Sequence, residues 1–146
     1  TYRKLAESAM AQLAPYFTQM RRSGTATASL PGGEHMTTPE DLADAIRAKF
    51  DWVPSEIARR WSTTYGSRTW RLLESVQSLA DLGDHLGCGL YTREVDYLCA
   101  EEWVTQPQDV LWRRTKLGLF TTEQEQENLQ RYLSKVEQNR SKIEAA

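Results

Sequence analysis

The chain has 146 residues, of which 40% are hydrophobic and 26% charged, enough for one globular domain with a real core and too few for two large ones. Leu (16) and Ala (14) far outnumber Val (6) and Ile (3), which excludes an all-β domain and points to helix. With 18 Lys and Arg against 20 Asp and Glu, the chain lacks the broad positive field of a duplex-binding protein.

In chain order, Leu5, Ala9, Leu13 and Phe17 recur every four residues and predict a helix over residues 1–20 with one apolar stripe. Residues 23–38 hold three glycines, a proline and many hydroxyls, the composition of a linker or surface loop. Thr38-Pro39-Glu40-Asp41 reads as a helix start, with Thr38 as cap and two carboxylates on the positive end of the dipole, and that helix should reach about Phe50. Pro54 opens another through Trp61. A third should carry Trp70, Leu73, Val76 and Leu79.

Residues 81–91 are expected to form a loop, after which Thr92 caps a helix with Val95, Leu98, Cys99 and Trp103 inside and Glu94, Asp96, Glu101 and Glu102 on its polar side. Residues 105–120 read as one helix ended by Gly118. Thr122 and Glu125 form a capping box for a final helix with the stripe Leu129, Leu133, Val136 and Ile143. The sum is an all-α bundle of six or seven helices.

No run approaches the roughly 20 apolar residues of a membrane span, and the N-terminal segment carries no apolar signal run, so the chain reads as intracellular with Cys88 and Cys99 as reduced thiols. Together with His35 and His85 these cysteines match no zinc spacing.

Trp112-Arg113-Arg114-Thr115-Lys116 is the densest basic cluster. It can hold a phosphate, or it can be a salt-bridged helix face, since Asp109 lies four residues before Arg113. Arg59, Arg60, Trp61, Arg68 and Arg71 form a second basic group, but Gly66 comes too late for a helix-turn-helix and nucleic acid is not an expected partner. His85 and Cys88 can be drawn as a base and nucleophile; a loop histidine beside a small loop residue is the ordinary alternative, and His35 in the linker has no role. The five tryptophans are expected as core or interdomain anchors. Neither GxGxxG nor GxxxxGK occurs, so nothing here cradles a nucleotide.

Several runs resemble a known family. Tyr65-Gly66-Ser67-Arg68, the segment Tyr91 to Leu98, and above all Glu102-Trp103-Val104 with Asp109 to Leu119 are similar to the C-terminal part of aerobic FAD-dependent glycerol-3-phosphate dehydrogenases. The opening Thr1 to Glu7 resembles the family segment where a helix begins against the flavin. The resemblance implies an accessory helical domain, inactive alone, of a flavoenzyme that oxidises sn-glycerol 3-phosphate to dihydroxyacetone phosphate and passes electrons to quinone.

It further implies that residues 1–37 are the end of the flavin domain with its linker and residues 38–146 the helical domain. The parent enzyme holds FAD and the isolated piece does not. Only Thr1 and Tyr2 match positions expected near the flavin in the intact enzyme. The implied partners are the chain's own flavin domain and, through the parent, quinone and the inner face of the cytoplasmic membrane; the chain itself is expected in the cytoplasm, and a homodimer is left open. A free-standing interaction module using Arg113, Arg114 and Lys116 is the competing expectation.

Overall fold

The computed structural model describes residues 2–21, 23–35 and 38–144, with side chains through Lys142. It divides into two compact units, Thr1–Leu30 and Pro31–Ala146.

The first unit contains helix α1, Tyr2–Leu13, followed by a 3-10 turn at Ala14–Tyr16. The four-residue repeat thus forms the expected helix, yet α1 buries none of its residues, and Leu5, Leu13 and Phe17 are exposed. Glu7 fastens the segment behind the helix by accepting from the Thr25 hydroxyl and, at 3.4 Å, from that of Ser23.

The second unit starts seven residues before Thr38. Gly32 is buried at φ +90, and a Cβ there would lie 2.6 Å from the Tyr65 carbonyl oxygen, so only glycine fits. The Gly32 N–H donates to the Glu34 carboxylate at 2.7 Å, its carbonyl accepts from the Ser67 N–H at 2.8 Å, and Ser67 Oγ donates to Glu34 at 2.6 Å.

Helix α2 spans Pro39–Lys49, capped as expected by Thr38, whose hydroxyl accepts from the Asp41 N–H at 3.1 Å. Helix α3 spans Ser55–Tyr65 and presents Ile57, Ala58, Trp61 and Tyr65 to the core. The next helix is shorter than its periodicity predicts: α4 covers only Thr69–Leu72. The chain leaves it because Ser75 adopts φ +63 and because Arg93, reaching over from the following helix, donates to the Leu72 and Glu74 carbonyls at 3.0 and 2.9 Å. Those bonds satisfy acceptors that a longer helix would have used internally.

The expected loop at 81–91 contains a 3-10 turn (Leu79–Leu82) and an antiparallel hairpin, β1 (His85–Gly87) and β2 (Leu90–Tyr91), closed by Cys88 and Gly89, both at positive φ. Helix α5 spans Thr92–Glu101. Thr92 does not cap it; its hydroxyl donates to the Leu82 carbonyl at 3.3 Å and ties the helix to the preceding turn. Residues 105–120 form no single helix. A π-helix occupies Asp109–Arg114, Lys116 turns left-handed at φ +63, and a 3-10 turn follows at Leu117–Leu119. The Thr115 N–H donates five residues back to Val110 at 3.0 Å, the wider spacing of a π-helix. Gly118 does not end a helix. It lies under Trp112, where a Cβ would come within 2.5 Å of the indole.

Helix α6, Glu123–Glu144, opens on the expected box: the Thr122 N–H donates to Glu125 at 2.8 Å and the Glu125 N–H to Thr122 Oγ1 at 3.3 Å. It contributes Leu129 and Leu133 to a core built around Trp61, Ile46, Leu72, Leu82, Leu90, Leu98 and Val110. Ile143, expected on the same stripe, has its side chain outside the described residues. Six α-helices and one two-stranded hairpin among the described residues make the architecture helical, as composition implied.

Candidate functional site

The chemistry-bearing side chains gather at the two ends of α5. Near its start, Glu94 is 0% exposed, although its place in the sequence suggested the polar face. Helix α3 brings Arg60, Trp61 and Tyr65 to it. Arg60 grips both carboxylate oxygens through Nη1 and Nη2 at 2.6 and 2.7 Å, while Trp61 Nε1 donates at 2.9 Å and the Tyr65 hydroxyl at 2.5 Å. The remaining reach of Nη2 goes to the Gly89 carbonyl at 2.9 Å. Four donors on one carboxylate offset the cost of burying its charge. Burial and the adjacent Glu94 both push the Tyr65 phenol well above its ordinary range. Burial draws the Arg60 pKa down, but the Glu94 bonds outweigh it and the guanidinium stays charged. The Glu94 carboxylate is thus fully engaged, and the cluster clamps α3 to α5.

At the other end of α5 lies a cleft of about 490 Å³ lined by Arg68, Tyr97, Glu101, Trp103, Arg113 and Arg114, among others. The π-helix places Arg113 and Arg114 on it together, since its wide turn points consecutive side chains in closer directions than an α-helix does. Contacts are looser than around Glu94. Arg68 Nη1 is 3.4 Å from Glu102 and 4.0 Å from Glu101; Arg114 Nη1 is 3.5 Å from Glu102, with Nη2 donating to the Glu102 carbonyl at 2.7 Å. Arg71 reaches Glu101 at 2.6 Å. The Tyr97 phenol is buried and meets no hydrogen-bond partner of proper geometry. Burial raises its pKa, and the Arg68 guanidinium nearby draws it partly back.

The basic residues singled out in the sequence are thus dispersed among carboxylates. Arg113 pairs with Asp109, the salt-bridged alternative. Asp109 itself accepts from the Thr105 and Gln106 N–H groups at 3.1 and 3.2 Å, and these bonds with Arg113 hold its pKa at about 2. Lys116 folds back to donate to the Trp112 carbonyl and does not line the cleft, so Arg113, Arg114 and Lys116 present no common face to a phosphate.

His85 and Cys88 form no catalytic pair. The His85 Nε2 accepts from the Gly89 N–H at 3.1 Å, and its ring packs on Tyr91 at 5.0 Å. Burial, together with Glu125, raises the Cys88 thiol, the opposite of activation. Burial also raises Cys99. No group of three or more His, Cys, Asp or Glu among the described residues is placed to hold a metal. Of the tryptophans, Trp61 is fully buried, Trp52 and Trp70 are half-buried, and Trp112 and Trp103 are exposed, so the last two are not core.

Thr1 lies outside the described residues, and Tyr2 stands exposed at the first position of α1. No helix among the described residues is long and apolar enough to cross a membrane. Sequence reasoning missed Glu94 and the Tyr97 phenol. The signal for Glu94 was its position facing Val95 and Leu98 in a helix whose partner α3 offers an arginine, an indole and a phenol on one side.

The family described as the C-terminal domain of alpha-glycerophosphate oxidase matches residues 23–141. Relatives match across more of the chain. A glycerol-3-phosphate dehydrogenase of Pseudomonas tolaasii is 75% identical over 147 residues, covering 100% of this chain and 29% of that protein. One from Pseudomonas aeruginosa PAO1 is 51% identical over 100% of the chain and 28% of its own length. A D-erythritol 1-phosphate dehydrogenase of Brucella abortus is 39% identical over 86% of the chain and 25% of its own length. The chain therefore spans less than a third of the length of the curated relatives it matches.

Proposed function

This chain belongs to the family of the C-terminal domain of alpha-glycerophosphate oxidase, and from that membership we propose that it is the accessory helical domain of an FAD-dependent sn-glycerol-3-phosphate dehydrogenase. The parent oxidises glycerol 3-phosphate to dihydroxyacetone phosphate and delivers the electrons through FAD to quinone, as a peripheral protein on the inner face of the cytoplasmic membrane. The chain's own part is structural. The observation that carries the reading is the end-to-end match to a dehydrogenase of which this chain is only 29%.

The residues present do not make a flavin site by themselves. No glycine-rich phosphate loop occurs, and of the two residues assigned near the cofactor only Tyr2 is described, on a helix that buries nothing. Thr1 and Tyr2 therefore serve the flavin only when the parent supplies the rest of the site. An α1 whose apolar side is wholly exposed supports the same reading, because such a helix needs a surface to cover it.

The test is turnover by the intact polypeptide ending in this sequence, with a quinone analogue as acceptor and the flavin spectrum as the measure of cofactor. Turnover of glycerol 3-phosphate by the flavin-loaded protein, with neither flavin nor turnover on residues 1–146 alone, is expected. A flavin-loaded protein that ignores glycerol 3-phosphate and oxidises D-erythritol 1-phosphate would overturn the substrate.

A further inference from the structure

In the Pro31–Ala146 unit, five large hydrophobic side chains are exposed among the described residues, and four fall in one stretch: Trp103 (86%), Trp112 (44%), Leu119 (68%) and Phe120 (72%). Leu79 is the fifth. That stretch is built from the π-helix, the 3-10 turn and the irregular backbone around them. Trp103 sits at φ +57 and Lys116 at φ +63, left-handed conformations that disfavour side chains of this bulk and that no burial of the indole repays within the unit. Trp112 in turn rests on Gly118, the one residue whose lack of a side chain lets the ring lie there.

The charges beside this patch are also under-used. The Glu102 carboxylate meets Arg68 and Arg114 only at 3.4 and 3.5 Å and fills neither guanidinium fork as Glu94 fills that of Arg60, although Arg114 also donates to the Glu102 carbonyl at 2.7 Å. The Tyr97 hydroxyl beside Arg68 donates to no acceptor among the described residues. Around the cleft and the adjoining turn, Arg68, Arg71, Arg113, Arg114 and Lys116 stand against three carboxylates, Glu101, Glu102 and Asp109. The local balance is positive in a chain that is negative as a whole. An exposed tryptophan on a cleft lined by arginines, with further exposed apolar side chains in the same stretch of chain, is the make-up of an interface centre, where indole and guanidinium groups carry most of the binding energy.

We propose that residues 102–120 are the face by which this domain seats on the part of its parent polypeptide that lies outside the chain, with Trp103 and Phe120 as apolar anchors. An acidic side chain of that part enters the cleft between Arg68 and Arg114, fills their open forks and accepts from the Tyr97 hydroxyl. This rests on the function proposed above. The occupant follows from length and charge: 71% of the Pseudomonas tolaasii relative lies outside the matched stretch, and a positive cleft beside an aromatic patch selects an acidic, partly apolar protein surface.

Hydroxyl-radical footprinting of the intact polypeptide, read by mass spectrometry, tests the proposal. Trp103 and Phe120 should label about tenfold more slowly than in a short peptide of residues 99–122, while Leu79 labels freely. Arg114→Glu should restore fast labelling of Trp103 and Arg114→Lys should restore it only in part. Carbodiimide cross-linking should join Lys116 to a carboxylate upstream in the same polypeptide. Fast labelling of Trp103 in the intact protein overturns the proposal, as does a Lys116 bridge joining two copies, which would make this a homodimer face. Turnover is measured on the same sample: an active enzyme with unprotected Trp103 removes the docking face alone, whereas protection without glycerol 3-phosphate turnover supports the docking face and removes the proposed substrate.

Discussion

Helix α5 carries a carboxylate–arginine group at each end, and the two are built on opposite plans. At its N-terminal end Glu94 is sealed from water and receives four hydrogen bonds between 2.5 and 2.9 Å. At its C-terminal end Glu101 and Glu102 are partly exposed and share three arginines at distances up to 4.0 Å. The helix dipole accounts for part of the contrast. It favours an anion at the first turn and opposes one at the last, where arginines are the welcome partners of the free carbonyls. Arg114 takes that role by donating to the Glu102 carbonyl. One end of α5 is therefore finished within the domain, and the other keeps donors in reserve.

The widest test of this contrast is Glu94→Gln. Removing the charge leaves the buried Arg60 fork without its anion, and urea unfolding should show a loss of about 3 kcal/mol. Glu102→Gln, by comparison, should cost under about 1 kcal/mol, since its partners are exposed and distant. A loss of equal size at both positions would erase the distinction between closed and open ends.

Between these extremes stands Asp109, which holds the entry to the π-helix. Its pKa is depressed to about 2, so its contribution is complete above the ordinary aspartate range and fades as pH falls from about 4 toward 2. Asp109→Asn should cost about 1–2 kcal/mol at pH 7 and flatten that acid limb of the stability curve. Trp103→Gly should show the smallest effect and the opposite sign. Relief of the left-handed backbone should raise the stability of this chain by up to about 1 kcal/mol in a thermal melt, which a residue serving the core would never do.

The same contrast separates what was legible in the letters from what was not. Thr38 and the Thr122–Glu125 box were readable because caps act through neighbours two or three residues away. The break after Leu72 was not, because it depends on Arg93, 21 residues distant, satisfying the Leu72 carbonyl. The π-helix likewise hides in an apolar pattern that an α-helix would share. Glu94 was placed in solvent because a carboxylate in a helix belongs there unless something far away pays for its burial, and Arg60 lies 34 positions back. The arginines of the cleft were visible as a basic cluster, and the pairing of Arg113 with Asp109 four residues back was legible too, but Arg68 and Arg114 meet Glu102, 34 and 12 positions away at the end of α5. Thr1 and Tyr2 were singled out by the resemblance alone, and no periodicity or motif of their own marks them.

The tie between Gly32, Glu34 and Ser67 bears on how the protein is to be cut for experiments. A fragment begun at Thr38, where the helix cap makes a tempting start, would discard a glycine that fits against Tyr65 as no other residue can, along with a carboxylate that draws two donors to itself. Expression from Pro31 keeps both, and an affinity tag joined there would begin one residue before the anchor and leave it intact.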